Sequence, residues 1–385
     1  MKIKGVDAKS IFDSRKEKTI SVSIKTNVGN FNASSPSGKS VGTYEAKAYK
    51  KNIDEDIKTL KKFSNYFTDE SMDVFDDLRR VEDIVDKQIG ANTCFALESA
   101  ILKAIAKEKN KQVWELVNQN AKTFPRLVGN CIGGGKHSKT DKKPDFQEFL
   151  VIPDLNSIQK NFDENKKIKE KSQFYLEKKD EKFRKNKNDE NAWITSLNEK
   201  EVLEILKNFN IPIGIDVAAS SFYKRKKYHY ENPMLKRDEE EQLFYIDSLI
   251  KNFNLSYVED PFEEEDYDSF AKILKKHPQT LTVGDDLIVT NYKRLEKAIE
   301  KKSINALIVK PNQNGRLTDV KRVCELAKKN NIKIVFSHRS GETEENILAD
   351  LAFGFQADFL KCGIDGAERE AKIKRLIEIE KEYKP

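Results

Sequence analysis

Cysteine is scarce and scattered in this chain. Cys94, Cys131, Cys324 and Cys362 form no C-x-x-C pair and have no zinc spacing, which argues against a disulfide framework and against a structural zinc site. A reduced, cytoplasmic protein is the simplest expectation. No apolar run approaches membrane-spanning length, and Met1 to Val6 reads as a short strand rather than a basic region with an apolar core. Secretion and membrane insertion are therefore not expected. An excess of charge of one sign is missing too. The net charge of +6 is small beside 70 basic and 64 acidic residues, so nucleic acid is not implied as a partner.

What the chain does have is length and patterned apolar runs. With 385 residues, 38% of them hydrophobic, it suits a barrel plus an extra domain. Thr19 to Thr26 alternates as a half-buried strand, Asn27-Val28-Gly29-Asn30 turns, and Phe31 to Ser34 returns as a hairpin partner. From about Glu45 to Asn118 the pattern is helical, which makes an α+β domain of residues 1–125. Residues 126–385 are expected to form an α/β domain, a C-terminal (β/α)8-type barrel whose last helix runs from Glu368 to Tyr383. The Lys/Glu/Asn-rich stretch from Gln159 to Glu190 reads as a solvated helix pair on its surface.

Within the barrel, apolar runs end in Asp216, Glu259, Asp285, Lys310, His338 and Lys361. Four of the five gaps between those residues are 23 to 28 residues, the length of one strand, one helix and two short loops. Such residues sit at strand C-terminal ends, which share one face of a barrel. Asp216, Glu259 and Asp285 offer the hard oxygen donors expected for Mg²⁺, with no Cys or His among them. Lys310, in a dry pocket beside that positive charge, is expected to have a lowered pKa and to act as a general base. Lys361 suits a substrate carboxylate. The run His338-Arg339-Ser340-Gly341 precedes an expected helix start and suits a phosphate, with Arg339 as the fork and Ser340 adding donors. A lysine base beside Mg²⁺ suits proton removal α to a carboxylate.

These segments carry a resemblance that extends over nearly the whole chain. Ile11-Phe12-Asp13-Ser14-Arg15, Pro36 to Gly42, Gly90-Ala91-Asn92, Gln147-Glu148-Phe149, Asp216 to Ser220, Val258 to Phe262, Gly284 to Leu287, Lys310 to Gln313 and Ser337 to Glu344 resemble the enolase family, in that family's order. The resemblance implies a reversible dehydration of 2-phosphoglycerate to phosphoenolpyruvate, with Lys310 as the C2 base. It also implies that Glu190, assisted by Glu148, protonates the departing C3 hydroxyl. His137 would lie on a mobile loop closing over substrate, and Ser40 would bind a second Mg²⁺, making two per active site. Dimers or octamers are the implied assemblies. Departures from the family pattern are Lys16-Glu17-Lys18, Lys39, Ser221, the longer segment between His137 and Glu148, and Asn188, Asn191 and Ala192 where glycines are usual. A paralogue acting on another acid, or one with weak or lost turnover, is the alternative reading.

Overall fold

The computed structural model describes residues 1–39, 42–68 and 70–383. Three antiparallel strands open the chain: β1 (Ile3–Phe12), β2 (Lys18–Thr26) and β3 (Gly29–Ser34), hydrogen-bonded in that order. The helix Ala91–Lys109 packs across β2 and β3 and is buried along most of its length. That double burial explains why its sequence is apolar all round rather than striped. The segment from Glu45 is less helical than its pattern suggests, because the first helix begins only at Ile53.

Eight further strands close a barrel: β4 (Arg126–Gly133), β5 (Glu148–Val151), β6 (Ile213–Asp216), β7 (Tyr257–Glu259), β8 (Leu281–Gly284), β9 (Ala306–Val309), β10 (Lys333–Ser337) and β11 (Phe359–Gly363), with β11 pairing back to β4. The expected regular (β/α)8 alternation needs one correction. β5 runs antiparallel to both neighbours, β4 and β6, and so follows β4 through a hairpin instead of a helix. A second correction concerns the expected helix pair between Gln159 and Glu190. It is a single helix, Ile158–Lys179, followed by an irregular segment that ends in buried residues around Glu190.

The barrel axis is filled by Val128, Leu150, Ile152, Tyr257, Val283, Ala306, Ile308 and Val335, a cluster separate from the larger core between strands and helices. β6 contributes Gly214 at this level. A Cβ there would sit 2.7 Å from that of Tyr257, so the glycine makes room for the tyrosine ring. Successive strand side chains alternate between faces. The residues two places nearer the mouth than these inward-facing ones are therefore Asn130, Glu148, Asp216, Glu259, Asp285, Lys310 and Ser337, with Lys361 two beyond Phe359.

Candidate active site

That inward layer, with the loops above it, walls a cavity of about 200 Å³ lined by Glu148, Asp216, Asp285, Lys310 and Lys361, and by His137, Glu190, His338, Arg339 and Ser340. Glu259 is fully buried beside it. The structure thus brings together every described residue singled out from the sequence. Ser40 lies outside the described residues.

Charges at the floor are tightly paired. The Lys361 ammonium is 2.9 Å from Asp216, 2.8 Å from Glu259 and 3.2 Å from Glu148. These carboxylates hold its pKa well above the ordinary lysine value against the opposing effect of burial. The Tyr257 hydroxyl donates to Glu259 Oε2 at 2.7 Å. Burial, followed by the neighbouring Asp216, pushes the Glu259 carboxyl up to about 8. The expected drop in the Lys310 pKa is not seen. Burial acts to lower it, but Asp285, whose Oδ2 accepts from Lys310 Nζ at 2.5 Å, more than offsets that effect and the value is raised.

Two groups of acidic and histidine donors come within 4.8 Å of one another among the described residues: His137, Glu148 and Glu190, and Asp260, Asp285 and Asp286. Asp285 Oδ1 is buried with no hydrogen-bond partner. The second group shares only Asp285 with the expected ligand set, since Asp216 and Glu259 are drawn to Lys361; the buried, unpartnered Asp285 oxygen is the feature that fits a hard cation here. Asp260, which sequence reasoning passed over, organises this corner. Its backbone has a φ of +40°, and its two carboxylate oxygens accept from the backbone N–H groups of Asp285 (2.9 Å) and Asp286 (2.6 Å).

Opposite demands fall on the two glutamates near His137. Burial and the neighbouring Glu190 push the Glu148 carboxyl well above its usual range. Burial acts the same way on Glu190, but His137, His338, Arg369 and Lys361 outweigh it and hold that carboxyl well below. Glu190 Oε2 also accepts from Asn130 at 2.8 Å. A pair whose proton affinities diverge can keep one acid protonated beside one carboxylate. Glu148 reaches the mouth as the first residue of the reversed strand, directly across from Asp216 on β6. The C-terminal-end rule could not have found it. His137 is buried at the site, in a short turn just beyond β4. His338, also buried, has two ring nitrogens without hydrogen-bond partners, the nearer one 3.6 Å from Glu190.

The Arg339 fork is occupied by Glu45, at 2.8 and 3.1 Å, and by Asn312 Oδ1 at 3.1 Å. Glu45 comes from the N-terminal domain and was not foreseen. The expected helix start after Ser340 is absent, since the next helix begins at Ile347. The turn is stitched instead to the N-terminal domain. Ser37 and Gly341 exchange backbone hydrogen bonds, Ser340 Oγ accepts from the Lys39 N–H at 2.8 Å, and Arg15 donates to Ser37 Oγ at 2.8 Å. A Cβ on Gly341 would lie 2.0 Å from Asp13 Oδ2, so this approach requires glycine. Beneath the turn, the fully buried Arg369 donates to the carbonyls of Arg339, Ser340 and Asp189. Cys362 is a buried thiol pushed up to about 12 by burial, in keeping with packing rather than reactivity.

Residues 3–117 match the family described as "Enolase, N-terminal domain", and residues 121–384 match "Enolase, C-terminal TIM barrel domain". The chain is 36% identical to the enolase of Methanosphaera stadtmanae over 409 residues, covering 99% of this chain and 97% of that one. It is 34% identical to that of Pyrobaculum aerophilum, covering 94% and 91%, and 35% identical to that of Picrophilus torridus, covering 99% and 98%.

Proposed function

Because this chain belongs to the enolase family through both of its domains, we propose that it catalyses the reversible dehydration of 2-phosphoglycerate to phosphoenolpyruvate. The observation that carries this reading is one cavity walled both by a lysine on a carboxylate and by two glutamates of diverging proton affinity. Removing a proton from C2 and a hydroxyl from C3 needs one base and one acid at separate places.

In this reading Lys310 Nζ takes the C2 proton. Lys361 holds the substrate carboxylate, and Arg339 and Ser340 hold the phosphate, Arg339 exchanging part of its Glu45 contact for phosphate oxygens. Glu148 holds the proton and Glu190, within 4.8 Å of it, relays it to the C3 hydroxyl as that leaves as water, and His137 and His338 face the same end. Asp216, Glu259 and Asp285 would hold one Mg²⁺, and Ser40 a second. Bound there, the ions would supply positive charge that stabilises the ionised substrate and lowers the pKa of Lys310.

No helix among the described residues is long and apolar enough to cross a membrane. A cytoplasmic location and assembly as a dimer or octamer complete the proposal. The test is to add 2-phosphoglycerate and Mg²⁺ to the purified chain and follow ultraviolet absorbance of the enol product. Wild type is expected to turn over and Lys310→Ala to be silent; a silent wild type would sink the reading.

A further inference from the structure

Glu190 sits on an irregular loop, and the groups that fix that loop lie outside the cavity. The Asn188 side chain accepts from the backbone N–H groups of Glu190 (3.0 Å) and Ala192 (2.9 Å), closing the loop upon itself. Asn191 holds a left-handed φ of +63° and donates from its side chain to the Asp365 carbonyl at 3.1 Å. The Lys169 ammonium, on a side chain only 3% exposed, donates both to the Asn191 carbonyl and to the Asp365 carboxylate. Lys187 adds a second cation to Asp365 at 2.8 Å. The Trp193 indole ties the loop's far end to the Lys169 carbonyl at 2.9 Å.

Lys169 is thus a buried cation whose carboxylate partner lies on the loop after β11, and it grips the carbonyl of Asn191, the residue that follows Glu190. Its pKa is lowered, chiefly by burial, with Asp365 opposing. A charge drawn out of water in this way costs free energy unless it is paired. A hydrophobic residue at 169 would have packed against Trp193 without that cost.

We propose that Lys169 and Asp365 are positioning residues for Glu190, setting where its carboxylate meets the C3 hydroxyl. The inference rests on the dehydratase reading. C2 proton transfer belongs to Lys310, just past the end of strand β9, and makes no use of this bracket. Loosening the bracket therefore separates the two halves of the reaction.

The experiment follows both halves with the full-length chain. Hydrogen exchange at C2 of 2-phosphoglycerate is read in D₂O by NMR, and dehydration by absorbance, for wild type, Lys169→Met and Asp365→Asn, with thermal melting as a check of folding. Misplacing a reacting group by about 1 Å costs on the order of 100-fold. Each variant is expected to lose dehydration by about 10- to 100-fold while C2 exchange and KM stay within about threefold. Parallel loss of both rates, or no loss of dehydration, would overturn the proposal. If Lys169→Met does not fold, Asp365→Asn, which preserves shape, decides alone. Failure of both reactions in the wild type would instead count against the dehydratase reading.

Discussion

At the residue scale, strain and hydrogen bonding explain choices that spacing cannot. Asp260 holds a φ that non-glycine residues rarely adopt, and its carboxylate ties down the two N–H groups that present Asp285 and Asp286. Asp260→Ala leaves both donors without a partner and is expected to lower stability by about 1–3 kcal/mol per donor, read by urea denaturation. Val289 and Thr290 are likewise left-handed, although both are β-branched, and Thr290 Oγ1 accepts from the N–H of Lys310 at 2.9 Å. The strand-end residues that meet at the cavity, Asp216, Glu259, Asp285, Lys310 and Lys361, were legible, because an apolar run ending in Asp, Glu or Lys states both a strand end and an ionisable group. Their supports were not, because a backbone dihedral leaves no mark on residue type.

A titration follows at the same scale. Burial pushes the Glu199 carboxyl up to about 7; its Oε1 accepts from the Tyr245 hydroxyl at 2.7 Å, while Oε2 has no partner. A raised carboxyl means that the folded state binds the extra proton. The stability it brings is fully present below the unfolded value of about 4.3 and is lost as pH rises through about 7. Unfolding free energy is expected to be about 2 kcal/mol lower at pH 8 than at pH 5 from this group. Glu199→Gln is expected to flatten that difference; an unchanged slope would refute the assignment.

Strands and loops show where the sequence reading stops. The run from Phe149 to Val151 is apolar and buried whichever way the strand runs, so its reversal was invisible. Inward parity is a better guide than strand ends. It recovers Glu148 and Asn130 together with Asp216, Glu259, Asp285, Lys310 and Lys361, since each lies two places from an inward-facing residue at the level of the barrel axis, but it gives Ser337 in place of His338. The Gln159–Glu190 stretch was read as surface from its charge, yet its last residues enter the site. The turn after β10 offers an independent check. Gly341→Ala places a methyl on Asp13 and Ser37 and pushes the N-terminal loop away from Ser340. Such overpacking costs typically 1–3 kcal/mol, so KM for 2-phosphoglycerate is expected to rise about tenfold with circular dichroism unchanged.

At the scale of the molecule, the two domains complete each other's hydrogen bonds. The helix Leu317–Lys329 lacks a side-chain cap from its own N-cap residue, Arg316. Its first N–H groups are taken by the N-terminal domain instead: Leu317 N–H donates to Glu98 at 2.7 Å, while the Thr318 hydroxyl donates to Glu82 at 2.7 Å. Hydrogen-bond acceptors for the free N–H groups of a helix start are favourable, and here they come from a distant part of the chain. Local capping rules therefore could not have found them. Glu82→Ala is expected to cost about 1–2 kcal/mol and to speed amide exchange in the first turn of that helix more than in its last. Equal exchange along the helix would argue that the contact is incidental.

The reversed strand β5 has a further consequence for how such a chain can diverge. Because β4 and β5 form a hairpin, the segment between them leaves the barrel at the mouth and returns to it there. It can lengthen without displacing any later strand. His137 and Glu148 occupy its two ends, with the lysines of 139–143 in the loop between them. The frame stays closed whatever that loop carries, so variation can collect directly above the cavity while the carboxylates and lysines beneath keep their places.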